Sequence, residues 1–426
     1  MPRWAIVLCK FRDVPEEPVS VEFCRKFFIT ANTGGLYDYW RDISFGKINL
    51  EGSRVLGPFT LSYNPADAWA AVSAQQSELG KDAPHPRFML LQMAADDVSR
   101  QTDLSEFEGL ILIHNAEYDA GAAGTNMRLP HGSLRWVPAI NLDNLSFVPS
   151  TLGHLVEHET GHMLGLPHSH LLEPFAEYGD GWDVMGGERL DGSSLDCRFD
   201  VPNPELNYPR SGPGLSAPSL LRLGWIDVAR LWTYSESGES EAAVLTPLSD
   251  SPHSGHCAAQ LHLYNSDFVR LTAELRWNVA WDRGIPRPAI LIHLTGRDGR
   301  TFLVAAHANQ HDWLEGDTYR TPCNRFRIGI WGIDAFSGTA TVLIQPTLPY
   351  FWQVNDLEWR RREPSTSASR PRTSRLFRVV WRIDRFVGRL VERIRKWIKP
   401  GVAVVPKLAI VCPELSGVPK STSRKR

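Results

Sequence analysis

Residues 154–170, HLVEHETGHMLGLPHSH, put five histidines and two glutamates into one short, helix-compatible stretch. On a helix, His158 and His162 stand at i and i+4, so both imidazoles share a face and can reach one ion. Glu159 is displaced by about 100 degrees, close enough to meet a metal-activated water without becoming a ligand. A hydrolytic zinc needs three protein ligands and one position open to water, so two histidines leave it one short. Gly165 supplies the way to the third. It can end the helix in a left-handed conformation, after which the chain turns and His168 can approach the same ion. The string is His158-Glu159-x-x-His162-x-x-Gly165-x-x-His168. An amphipathic helix with surface histidines would account for the first pair but not for Gly165 and His168. His154 also lies one turn before His158, and reads as a supporting or surface group because the fourth position must stay open. His170 reads as a surface residue.

The elements that must carry these residues can be placed from pattern. Residues 4–9, WAIVLC, form an apolar run flanked by charge, as in a strand buried on both faces, and too short for the core of a signal peptide. A helical stretch with Val21, Cys24, Phe27 and Phe28 follows. In LYDYWRDISFGKINLEG, Gly46 marks the passage to a strand through Ile48 and Leu50. Residues 65–79 and 86–98 read as helices, and 109–115 (GLILIHN) and 136–142 (WVPAINL) as buried strands. The motif helix comes next, with Pro149 in its first turn and Ser146 or Ser150 near its cap. Residues 171–215 read as long loops, and SAPSLLRLGWID as a short closing helix. Alternating helices and strands imply an α+β unit, a mixed twisted sheet with helices on it, over residues 1–232.

With those residues in place, the chain resembles the metzincin zinc metalloproteases, which are defined by HExxHxxGxxH and a methionine-bearing turn beneath the zinc. YGDGWDVMGG, residues 178–187, puts Met185 seventeen residues after His168. Together with YDYWRDISFGKINLEG and SAPSLLRLGWI, this is most similar to the immune-inhibitor-A-like and gametolysin-like branches. His168 stands where immune inhibitor A is expected to use an Asp, and Gly187 where some metzincins carry a Tyr. The resemblance implies a zinc-dependent endopeptidase of protein or peptide substrates, with His158, His162 and His168 as ligands and Glu159 as general base. It also implies Met185 as an apolar floor and secretion behind a propeptide. WVPAINL would be the sheet edge to which an extended substrate pairs. Asp180 and Asp183 are candidate Ca2+ ligands, and Asn144-Leu145-Ser146 is a glycosylation sequon.

Beyond residue 232 the pattern changes. AILIHL, TFLVAAHA, RFRIGIWGI and TATVLIQP, separated by turn residues, predict a β-sandwich over 236–348. Residues 349–374 read as a linker. Residues 351–426 hold 19 Lys and Arg against 6 Asp and Glu, a net of +13, which leaves −15 to residues 1–350. Within 375–426, residues 375–399 set Leu376, Val380, Ile383, Val387, Leu390, Ile394 and Trp397 on one basic amphipathic stripe. That suits an anionic membrane surface, a helical partner or the protein's own acidic body better than nucleic acid, for which no recognition fold is evident. No apolar run is long enough to span a bilayer. The six cysteines are scattered, with no CxxC pair. The rival to a peptidase is a catalytically silent zinc scaffold that binds through its sandwich and tail. It has no use for Glu159.

Overall fold

The computed structural model describes residues 2–122, 127–129, 135–147, 152–186, 201–203, 208–249, 255–263, 267–307 and 310–347. The expected linker (349–374) and basic tail (375–426), Pro149, Ser150 and Gly187 lie outside them. The architecture is mixed α+β with several sheets.

In chain order the first elements are β1 (Trp4–Lys10), α1 (Val21–Cys24), α2 (Leu36–Ile43), β2 (Arg54–Thr60), α3 (Pro65–Leu79), α4 (Pro86–Ser99), β3 (Gly109–His114) and β4 (Gly121–Ala122). They are followed by β5 (Met127–Leu129), β6 (Arg135–Val137), β7 (Ala139–Leu142) and α5 (Leu152–Met163). One five-stranded sheet runs β2-β1-β3-β7-β4, parallel throughout except for β4, which pairs antiparallel with β7. Alternation along its strands builds two cores. Trp4, Ile6, Leu8, Ile111, Ile113, Ile140 and Leu142 face one side, with Trp40 of α2 and Val156 of α5. Ala5, Val7, Cys9, Leu110, Leu112 and Ala139 face the other, with Val72 of α3 and Leu90 and Leu91 of α4. Each fully buried Leu or Ile contributes about 1.5–3 kcal/mol, so a strand buried on both faces is well anchored.

Two readings made from sequence differ from this structure. Residues 47–50 form no strand: Asn49 turns the chain by accepting from Glu51 N–H (2.7 Å), and β2 begins only after Gly52, at φ +87°. WVPAINL is broken at Pro138. β6 pairs with β5 in a separate ribbon, while β7 joins the main sheet.

After α5 come β8 (Ser169–Leu171), β9 (Ala176–Glu177), β10 (Val201–Asn203), β11 (Tyr208–Ser211) and α6 (Ala217–Arg222). The C-terminal strands are β12 (Leu231–Thr233), β13 (Glu241–Leu245), β14 (Ala258–His262), β15 (Phe268–Arg276), β16 (Ala289–Gly296), β17 (Thr301–Leu303), β18 (Thr318–Arg320), β19 (Phe326–Asp334) and β20 (Thr339–Pro346). A four-stranded sheet, β13-β20-β19-β18, faces a seven-stranded one, β12-β14-β15-β16-β17-β8-β9. Leu261, Leu271, Ile290 and Ile292 meet Leu245, Ile328, Ile330 and Val342 between them. The larger sheet crosses the boundary expected near residues 232–236, because β17 pairs parallel with β8, the strand that starts one residue after His168. Among the described residues no helix is long and apolar enough to cross a membrane.

Candidate metal centre

α5 carries His158, Glu159 and His162, and its far end is closed by paired hydrogen bonds. Leu166 N–H donates to Gly161 O (3.1 Å) and Gly165 N–H to His162 O (2.9 Å), with Gly165 at φ +86°. This is the left-handed helix stop anticipated for Gly165, and it turns the chain back so that His168 meets the helix. Ring centroids lie 4.8 Å apart for His158 and His162, 4.8 Å for His162 and His168, and 5.5 Å for His158 and His168. One ring nitrogen from each falls within 4.8 Å of the others.

Hydrogen bonds choose which nitrogen that is. His158 Nδ1–H donates to Val184 O (2.8 Å), His162 Nδ1–H to Leu166 O (2.8 Å), and His168 Nδ1–H to Glu177 Oε1 (2.6 Å). Carbonyl and carboxylate oxygens only accept, so each Nδ1 carries the proton and each Nε2 keeps its lone pair. None of the three Nε2 atoms has a hydrogen bond among the described residues. Burial lowers His158 well below its ordinary value and brings His162 to about 4, which keeps both imidazoles in the neutral, ligating form. The donor set fits a metal ion, and three imidazoles suit zinc, copper, iron or nickel better than magnesium or calcium.

Glu159 is 8% exposed, and its Oε2 accepts from Ala122 N–H at 2.6 Å. Burial pushes its carboxyl up to about 7, against the pull of that N–H and of Arg87. Arg87 bonds Asp119 through Nε at 3.0 Å to both oxygens. Asn141 joins Asp119 at 3.2 Å, and His114 bonds Asn141 at 3.0 Å. The edge of this sheet beside Glu159 is therefore β4, which covers the side of β7 that the sequence had suggested as the edge.

The methionine turn lies against α5. A Cβ on Gly161 would stand 2.3 Å from Met185 Sδ, so a larger residue in the x-x of HExxH would force the Met185 side chain to shift. Ser169 N–H donates to Met185 O (2.9 Å), tying the turn to the strand after His168. Trp40 Nε1–H donates to Thr160 Oγ1 (2.8 Å) and locks α2 onto α5.

Other expectations meet different surroundings. His170 is 4% exposed, packed between Phe175 and Phe302, and is not a surface residue. His154 is 3% exposed with its ring centroid 6.0 Å from that of His158, on the helix side of the cluster and outside it. Asp180 and Asp183 are buried and spend their oxygens on Ser169, Trp182 N–H, His293, Met185 N–H, Ser216 and Ser219, so their carboxylates are already satisfied without calcium. Sequence pattern did not single out Ala122, Glu177, His293 or Tyr178. The Tyr178 ring lies tilted against His168, centroids 4.0 Å apart, with its backbone at φ +64°, a strained conformation for a bulky residue. No protein-family model matches this chain, and no curated protein matches it.

Proposed function

We propose that the protein is a zinc-dependent endopeptidase of the metzincin type. The observation that carries this reading is the convergence of three Nδ1-protonated imidazoles, two of them on the same helix as a buried glutamate. Zinc bound by His158, His162 and His168 supplies Lewis acidity toward water and a scissile carbonyl. Glu159 takes the proton of the attacking water and passes it to the leaving amine. Its burial excludes bulk water, and Ala122 N–H fixes one of its oxygens. An extended peptide lies along β4, the outer strand of the five-stranded sheet beside the site. Residues 375–399 bring the enzyme to an anionic membrane surface or a helical partner.

A silent scaffold has no need of a carboxylate at position 159, and the intact Glu159 favours the enzyme. The test is cleavage of a mixed peptide library by the zinc-loaded full chain, with Glu159→Ala and a chelated sample alongside. We expect cleavage in the wild type only. Glu159→Ala should hold about one zinc per chain and lose on the order of 10²–10⁴ in turnover. Equal turnover in Glu159→Ala would remove the assigned base.

A further inference from the structure

We propose that His293, on the seven-stranded sheet, is a positioning residue for the third ligand, His168, which makes that sheet a working part of the metal centre and not an accessory to it. The inference rests on the metal-binding reading above. It starts from the period of two along β16. Ile290, Ile292 and Leu294 face the core between the two sheets, whereas Ala289 and Leu291 face Leu171, Trp182 and Leu303 on the opposite side. His293 belongs to the second set, so it points toward the methionine turn.

There its Nε2–H donates to Asp180 Oδ2 at 2.9 Å, and the same oxygen accepts from Ser169 Oγ–H at 2.8 Å. Asp180 Oδ1 accepts from Trp182 N–H (3.0 Å). His293, Asp180 and Ser169 are all 0% exposed. Ser169 is covalently next to His168, and its own N–H is held by Met185 O at 2.9 Å. A chain of short contacts thus runs from β16 through Asp180 to the backbone that carries the ligand. Two further contacts with the same sheet converge there: Glu177 of β9 accepts from His168 Nδ1–H, and β17 pairs with β8 directly beyond it. His158 and His162 sit on one rigid helix, so their spacing needs no outside help. His168 arrives on a loop, and its place relative to the helix is set by what holds Ser169 and Glu177.

Behind His293 the charges are closed off. Glu274 Oε2 lies 3.8 Å from His293 Nδ1 and accepts from Ala217 N–H, while Arg276 pairs with Glu274 (3.2 Å) and with Asp282. His293 therefore has a fixed seat on the sheet side and one hydrogen bond to give on the metal side.

The test measures zinc affinity of the full chain by chelator competition, together with the visible absorption of the cobalt-substituted protein, which reports coordination. We expect His293→Leu to weaken zinc by about 10-fold or more, the usual effect of removing a group that orients a ligand, and to change the cobalt bands. His293→Gln keeps an N–H for Asp180 and should recover affinity to within a few-fold. Ser169→Ala removes the same link with little change of volume, and should weaken zinc several-fold. Leu261→Ala, a cavity in the core between the sheets, should lower stability and leave zinc affinity and the cobalt bands alone. Wild-type zinc affinity and cobalt bands in folded Ser169→Ala, whether or not His293→Leu folds, would overturn the inference. A wild-type chain that binds neither zinc nor cobalt would overturn the metal reading itself.

Discussion

Two polar clusters in this protein are built on opposite rules. Around Arg276, charge is matched to charge: Asp282 takes its Nε (2.9 Å) and Nη2, Glu274 takes Nη1, and Gly214 and Ala217 N–H fill remaining carboxylate positions. The His158, His162 and His168 cluster is matched only on its outer side. Each Nδ1 is occupied and each Nε2 is left aimed inward. His158 is buried and the other two rings are half-buried, so these acceptors serve no hydrogen bond of the fold among the described residues. The closed cluster is thus a structural joint, and the open one could hold a metal ion.

That contrast can be broken by substitution. His162→Ala removes one of the three imidazoles, so, on the metal-binding reading, zinc retained after dialysis, read by elemental analysis, should fall from about one per chain to background. The metal-free fold should lose only about 1 kcal/mol, the worth of the hydrogen bond to Leu166 O. Arg276→Met should behave the other way. It strands two buried carboxylates and should cost about 3–5 kcal/mol in denaturant unfolding, while the folded fraction binds zinc to within a few-fold. If Arg276→Met proved as stable as wild type, the closed cluster would not be the joint described.

A smaller effect sharpens the comparison through pH. Burial alone would lower His293, but its bond to Asp180 carries it above its ordinary 6.5, and the same bond holds Asp180 below its ordinary 3.8 despite burial. A raised histidine stabilises fully below pH 6.5 and loses that contribution as pH rises through its folded value. A depressed carboxylate stabilises fully above pH 3.8 and loses it as pH falls through its folded value. The pair therefore contributes fully between about pH 3.8 and 6.5. Asp183 and Glu274, both raised mainly by burial, add a decline of their own that begins as pH rises above their ordinary 3.8 and 4.5. The Tm difference between wild type and His293→Gln, measured without metal, should be largest inside that window and shrink above it. A difference independent of pH would mean that the pair is not charged.

The helix that carries His158 and His162, its glycine stop and the approach of His168 were legible because the candidate chemistry fixes both residue type and spacing. The helices at 65–79 and from 86, and the strand beginning at Gly109, were legible because apolar periodicity reports burial directly. What escaped has a physical reason. His293 sits in AILIHL, where a strand pattern hides one polar side chain among aliphatic ones and cannot say what it faces. Glu177 becomes a partner of His168 only because β8 and β9 fold back as a hairpin. Gly161 carries no motif letter, yet the Met185 side chain lies where its Cβ would be. The sheet that joins β17 to β8 spans about 130 residues of sequence, and no local pattern encodes a pairing at that distance. Pro138 could have warned that WVPAINL would break, since proline cannot donate within a central strand.

X-ray absorption at the zinc edge of the reconstituted full chain tests the central claim most directly. The account predicts three imidazole nitrogens at about 2.0–2.1 Å and one oxygen in a fourth, exchangeable position. Four protein ligands, or fewer than three imidazoles, would contradict an open centre built from His158, His162 and His168.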